Sequence, residues 1–361
     1  MPPPSPTPDR AAPGTAWFAG RRARGVVEHA TLGERPAALA TPGWWALVGD
    51  FEGRVDAWRF DVLEDDLPDA RAAPWCGPAR DAWTSSLDRD AYVAAVEQVR
   101  AHVREGVVYQ ANLCRVLAAP LEPDAGGEPD ARALSARLVA GNPAPYAGGV
   151  HVPATGDVPG AWVVTASPEL FLRVRDGVVT SGPIKGTAPT AAGLTAKDRA
   201  ENVMITDLVR NDLQQVCLPG TVRVTDLLGV EEHPGLVHLV STVAGDLDPR
   251  VRDAPDALAS VLAATYPPGS VSGAPKSSAL RVIAELEPVA RGPYCGLVGW
   301  AHVAPDGGLT AELAVGIRTF WWRDGVLRFG TGAGITWGSD AAQEWTETEL
   351  KAARLVALAS R

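Results

Sequence analysis

The chain has 361 residues, 46% hydrophobic and 21% charged, enough for one large core or two intimate lobes. Its net charge of −10 argues against nucleic acid or an anionic membrane as partner, so an anionic ligand would have to be drawn in by local Arg and Lys. Four scattered cysteines form no CxxC or Cys/His cluster, and no apolar run nears the ~20 residues of a membrane span, which places the chain as a reduced, cytoplasmic protein.

Residues 1–14 are too proline-rich to fold and lack a signal-peptide apolar core, so a disordered tail is expected. Residues 15–87 read as short strands, such as Trp44-Trp45-Ala46-Leu47-Val48. Asp88 or Asp90 can cap a helix to Glu105, with Tyr92, Val93, Val96, Val99 and Val103 on its apolar side and Gly106 ending it. A strand over 107–117, a helix over 131–140 and a buried strand over 161–166 follow. Leu170 to Thr180 reads as a hairpin with Asp176-Gly177 at its tip. Helices are expected from Thr195, over 253–264, over 276–286 and over 341–359, with strands at 294–303, 309–322 and 326–329. No linker or repeat divides the chain, and hairpins mixed with long helices predict an α+β fold.

Lys185, in Pro183-Ile184-Lys185-Gly186-Thr187, sits in a Pro/Gly-flanked turn after an apolar strand, where desolvation can lower an amine's pKa and make it a nucleophile. Glu169, in Ser167-Pro168-Glu169, supplies a matching acid. The same pattern describes a surface hairpin lysine. A regular hairpin would leave Glu169 and Lys185 on opposite faces, so convergence requires the second strand to bulge or leave the sheet near Gly182-Pro183.

Asp198 with Glu201, and Glu344 with Glu347, are i, i+3 carboxylate pairs, each on one helical face, and together could hold Mg2+ partly through water. Glu347 and Lys351 also fit a solvated i, i+4 ion pair. The Gly269–Lys276 turn, which contains Ser270, leads into a helix and could offer backbone N–H groups to an anion, or be a plain turn. His238 lies in an apolar strand, where a structural histidine is the simpler reading. Arg318 is a charge in an apolar strand and needs a carboxylate, from a ligand or from the protein.

The ordered set SPELF, PIKGT, ENVMITDLVRNDL, VHLVST, PPGSVSGAPK, RGPYCG, IRT, GAGI and EWTETELK resembles the chorismate-utilising enzymes, densely from Tyr109 to Lys351 and faintly before Asp88. The resemblance implies a four-layer α/β/β/α sandwich with a central cleft between two lobes, and residues 88–361 as its chorismate-binding catalytic region. It casts Glu169 as general acid/base, Lys185 as nucleophile, and His238 as the histidine near the departing C4 hydroxyl. Glu201 and Glu347 match the principal Mg2+ ligands, with Asp198 and Glu344 as the outer pair. Ser270, Tyr294, Arg318, Lys351 and the backbone at Gly186, Thr187, Gly332, Ala333 and Gly334 would hold the substrate. Gln110 stands where isochorismate and salicylate synthases carry a lysine base for water, which argues against water as nucleophile.

PIKGT is the reading of aminodeoxychorismate synthases, whereas anthranilate synthases usually read PIAGT, and no LLES stretch occurs. The implied reaction turns chorismate and ammonia into 4-amino-4-deoxychorismate. The alternatives are the pyruvate-releasing reaction of anthranilate synthases and a catalytically silent chorismate-binding partner of an amidotransferase. No G-x-C-x-G elbow is present, so ammonia is expected from solution or from a separate glutamine amidotransferase subunit. Pro268, Ser272, Ala333 and Trp337 depart from the family pattern near the expected cleft.

Overall fold

The computed structural model describes residues 11–66, 74–122, 127–188, 190–233 and 236–361. Strands β1 (Ala12–Phe18), β2 (Arg21–Thr31), β3 (Gly43–Gly49) and β4 (Val55–Asp65) open the chain. Then come β5 (Thr84–Ser85), α1 (Arg89–Arg104), β6 (Gln110–Pro120), α2 (Ala131–Gly141), β7 (Tyr146–Val152) and β8 (Ala161–Ser167). The middle holds β9 (Leu170–Arg175), β10 (Val178–Gly182), β11 (Ile184–Ala188), α3 (Ala196–Gln214), β12 (Arg223–His233) and β13 (Leu236–Asp246). After α4 (Pro249–Arg252) and α5 (Ala257–Thr265) come β14 (Gly273–Ala274), α6 (Lys276–Leu286), β15 (Leu297–Val303) and β16 (Leu309–Val315). The chain closes with β17 (Thr319–Arg323), β18 (Val326–Ile335) and α7 (Ala341–Ala359).

Several helices start at a capping side chain. Asp88 accepts from Ala91 N to begin α1, and Asp340 accepts from Gln343 N to begin α7. Thr195 and Asp198 form a reciprocal capping box at the start of α3. The apolar side expected for α1 is buried at Tyr92, Val96 and Val99. No helix among the described residues is long and apolar enough to cross a membrane.

All strand pairings are antiparallel. The ladder runs β6–β18–β17–β8–β7–β1–β2–β4–β3–β15–β16–β9–β10–β13–β12, with β10 and β11 end to end along β13. The two halves fold onto each other, and β7 touches β15 without pairing with it. Helices α2 and α7 cover one half and α3 covers the other, giving α+β layers of the expected α/β/β/α kind. Alternation along β8 sorts the core: Val163 faces the space between the sheets, while Trp162 and Val164 face the helices. Large side chains such as Trp45 and Leu313 are fully buried there, each contributing about 1.5–3 kcal/mol of hydrophobic stabilisation. Most tryptophans serve this core, though Trp337 is exposed and lies near Arg104.

Several boundaries differ from the sequence expectation. Strand β1 begins at Ala12, so residues 12–14 are folded, while residues 1–10 lie outside the described residues. β1–β4 sit in mid-ladder, bounded by β7 and β15, and so form part of the same sheet as the rest of the chain. The helix expected over 253–264 starts only at Ala257, behind the separate turn of α4. The strand expected over 309–322 breaks into β16 and β17, with Arg318 at φ +52° in the break.

The hairpin departs from regularity, but not as expected. Thr180 pairs with Arg173 and Gly182 with Leu170, so the extra residue lies in the first strand, β9. A second shift lies in β11, where Ile184 pairs with Val240 and Thr187 with His238, leaving Lys185 and Gly186 opposite Leu239. Gly186 takes φ +94°, and a Cβ there would lie 2.8 Å from Asp198 Cβ. Asn202 of α3 donates to Leu239 O at 2.9 Å and pins the strand facing the bulge. Gly186→Ala should therefore destabilise the protein by about 1–3 kcal/mol in urea unfolding. A loss below about 0.5 kcal/mol would show that the bulge does not depend on glycine.

Candidate active site

A cavity of about 610 Å³ opens between α3, α7, β11, β13 and β18. Its wall gathers Glu169, Lys185, Gly186, Thr187, Asp198, Glu201, His238, Ser270, Tyr294, Arg318, Gly332, Gly334, Glu344, Glu347 and Lys351. These come from segments spread over much of the chain. Lys185, Lys197, Arg318, Lys351 and Arg354 supply the local positive charge that an acidic protein needs to hold an anion.

Glu169 is held by its turn. Its N–H donates to Ser167 Oγ at 3.2 Å, its C=O accepts from Val315 N at 3.0 Å, and Ser167 Oγ donates to Val315 O at 2.7 Å. Its carboxylate accepts from Ile184 N at 3.3 Å, which ties it to the residue before Lys185. Burial pushes the Glu169 carboxyl up to about 7, against the opposing hydrogen bonds of Ser270 and Ile184 and the charge of Lys185. Burial lowers the Lys185 pKa, opposed mainly by Glu201. No hydrogen bond or salt bridge to Lys185 Nζ is formed by the described residues, unlike the two satisfied bonds of Lys351, to Glu347 Oε1 at 2.6 Å and to Gly332 O at 3.0 Å.

The Arg318 guanidinium likewise makes no hydrogen bond or salt bridge with the described residues, although the Arg318 carbonyl accepts from Ala166 N at 3.0 Å, and burial lowers the guanidinium's pKa. A guanidinium left in this condition suits a bidentate carboxylate. Tyr294 is buried against Gly330, where a Cβ would lie 2.0 Å from the ring. His238 Nδ1 and Thr187 Oγ1 share a 2.8 Å hydrogen bond, so the histidine is built into the wall.

The carboxylates form two groups across the cavity. Glu201 Oε1 is buried without a hydrogen bond, and burial raises Glu201 and Glu344. Burial also acts to raise Glu347, but Lys351 and other nearby lysines leave it below its usual range. Asp198 Oδ2 is engaged by Thr195 N and Oγ1, so its helix-capping role competes with ligation. Hard carboxylate oxygens with one left unbonded fit a cation such as Mg2+. Among the described residues no group of three or more acidic, His or Cys side chains converges as a complete protein cage.

Two expected residues fall elsewhere. Ala333 packs in the apolar core with Leu113 and Ile335, while its neighbours Gly332 and Gly334 line the cavity. Gln110 is buried one layer behind the wall, with its amide against Gly334. Pro268, Ser272 and Trp337 do not line the cavity either, and Ser272 Oγ turns to the Pro268 and Gly269 carbonyls. Lys276 is likewise structural, bonded to Asp212 at 2.7 Å and Thr265 O at 2.8 Å. The sequence reading missed Asn112, Asn142, Lys197, Thr331 and Arg354 on the wall. Only Lys197 carried a signal, the i, i+4 spacing to Glu201 that had marked Glu347 and Lys351.

A family model described as "chorismate binding enzyme" matches residues 58–357. The chain belongs to this family. It is 36% identical to anthranilate synthase component 1 of Saccharolobus solfataricus over 74% of this chain and 62% of that one. It is 33% identical to aminodeoxychorismate synthase component 1 of Klebsiella aerogenes, over 86% and 68%. It is 35% identical to 2-amino-4-deoxychorismate synthase of Streptomyces globisporus, over 77% and 55%. The chain thus spans about half to two thirds of these relatives' lengths. The fold matches anthranilate synthase component I of Streptococcus pneumoniae, with TM-score 0.73, 23% identity and 98% and 93% coverage. It also matches the menaquinone-specific isochorismate synthase of Escherichia coli, with TM-score 0.76, 20% identity and 98% and 90% coverage.

The raised pKa of Glu169 has a consequence for stability. A carboxyl titrating near 7 when folded, against 4.5 in its ordinary state, favours the fold while protonated, and that contribution is lost as pH rises through 7. Glu169→Gln should match wild type in stability below about pH 4, diverge from it between 4.5 and 7, and exceed it by roughly 3 kcal/mol at pH 8. Equal unfolding midpoints at both ends of that range would show that Glu169 is not desolvated.

Proposed function

We propose that the protein converts chorismate and ammonia into 4-amino-4-deoxychorismate, the reaction of an aminodeoxychorismate synthase component 1. The observation that carries this reading is the pairing, in one cavity, of an unpartnered Lys185 with a Glu169 that titrates near neutrality. PIKGT at the bulge and similarity to the Klebsiella relative support it.

Arg318 and Tyr294 bind one substrate carboxylate, and Lys351 and the Gly332–Gly334 backbone lie beside the other. Glu201 and Glu347, flanked by Asp198 and Glu344, would hold Mg2+. When bound, the ion supplies Lewis-acid charge at the ring carboxylate and eases departure of the C4 hydroxyl. Neutral Lys185 attacks C2 as the C4–O bond breaks, and protonated Glu169 gives its proton to the departing hydroxyl, which leaves as water. Ammonia then forms the C4–N bond, the C2–N bond breaks, and Glu169 takes back a proton. A separate glutamine amidotransferase subunit is the proposed ammonia source in the cell. Anthranilate formation with pyruvate release is the second reading, favoured by the 36% identity to the Saccharolobus relative.

Product mass after incubation with chorismate, Mg2+ and ammonium separates the two. Aminodeoxychorismate without pyruvate is expected, and anthranilate with stoichiometric pyruvate would establish the second reading. Without ammonia, intact-protein mass should show a chorismate-derived adduct mapped to Lys185. Lys185→Ala should form no adduct and lose the 4-amino product, and Lys185→Arg should also fail because guanidinium stays protonated. Undiminished 4-amino product from Lys185→Ala would refute the nucleophile.

A further inference from the structure

Lys197 occupies a position that substrate binding does not explain. It projects from the first turn of α3 with 50% of its side chain exposed. Its Nζ stands 3.7 Å from Glu201 Oε1, one turn along the same helix, and 3.7 Å from Glu344 Oε1 on α7. Those distances are coulombic contacts rather than hydrogen bonds. The ammonium therefore lies between two carboxylates from opposite walls of the cavity without being committed to either. Lys351 differs, since it is hydrogen-bonded to Glu347 and to the Gly332 carbonyl.

A divalent cation held by these same oxygens cannot share them with an ammonium at that distance. The mutual repulsion is large at short range and is weakened only when the lysine swings outward. Its half-exposed, flexible stem permits that swing. Asp198, whose Oδ2 is engaged by Thr195, does little to offset the loss of negative charge.

We propose that Lys197 is a tethered counter-ion of this carboxylate cluster, competing with the divalent cation and tying α3 to α7 until that cation binds. The inference rests on the assignment of Glu201 and Glu344 to the cation under the proposed function. It assigns Lys197 a positioning role and no contact with the reacting atoms. The chain accordingly holds a divalent cation weakly before substrate arrives. The incoming carboxylates add the negative charge that Lys197 offsets, so cation and substrate reinforce each other's binding.

The test is Mn2+ binding to the purified full chain without substrate, read as loss of the free-ion electron paramagnetic resonance signal. Lys197→Met should bind Mn2+ more tightly by on the order of tenfold. Lys197→Arg, which keeps the charge, should stay near wild type. Arg199→Met removes an equal charge from an exposed position two residues along and should change little. In EDTA, Lys197→Met should melt below wild type, and saturating Mn2+ should remove that deficit. Unchanged or weaker Mn2+ binding by Lys197→Met, or an equal gain in Arg199→Met, would overturn the inference. Glu201→Gln separates the two levels. If it weakens Mn2+ binding while Lys197→Met does nothing, only the role of Lys197 falls. If wild type, Glu201→Gln and Lys197→Met are all alike, the cation assignment falls, and Lys197's role with it.

Discussion

Two one-residue register shifts govern how Glu169 and Lys185 come to share one cavity. Side chains in a ladder alternate strictly, so an uninterrupted β9–β10–β11 path would put Glu169 and Lys185 on opposite faces. The extra residue in β9 and the Lys185-Gly186 bulge in β11 remove that constraint. The hydrogen bond from Ile184 N to the Glu169 carboxylate then joins the two segments beside Lys185. Gly186 permits the bulge because its φ of +94° and its closeness to Asp198 leave no place for a side chain. Helix α3 holds the partner strand through Asn202 while presenting Asp198 and Glu201 to the same cavity.

Buried charges here fall into two kinds. Arg291 is fully buried but satisfied by Glu287 and by the carbonyls of Val271 and Asn112, which fastens the loop carrying Ser270 to β6. Lys276 and Asp212 do the same between α6 and α3. Arg115 anchors α7 through Thr348 and Glu349 while packing on Trp345. Breaking such pairs would leave an uncompensated buried charge, so their role is to hold the walls. The Lys185 amine and the Arg318 guanidinium have no such partner among the described residues, and they alone among these cations face the cavity. Burial without a partner is costly unless a ligand completes the site, and this difference separates binding groups from pillars.

The relatives of this chain carry out different reactions on one scaffold, so the fold does not choose among them. The departures from the family pattern at Pro268, Ser272, Ala333 and Trp337 lie off the cavity wall. Lys185, the residue that sets PIKGT apart from PIAGT, does line it. Gln110 lies off the wall too, with its amide against Gly334.

Local rules made much of this protein legible in its sequence. Capping residues and 3.6-residue periodicity located α1, α3 and α7, because those signals arise between residues a few positions apart. Nine ordered motifs pointed to the family, and the i, i+3 carboxylate pairs reached the cavity as helical geometry requires. Tertiary structure decided the rest. Arg318 read as a strand residue but sits in a left-handed break, because the chain there leaves β16 to pair with β8. Ala333 and Gln110 missed the wall because what packs against each face of β18 and β6 is settled only in the folded chain. Lys197 gained its second carboxylate from α7, a partner no local spacing could announce. Register and cavity walls are set by contacts between residues distant in the chain, and only the folded ladder brings those together.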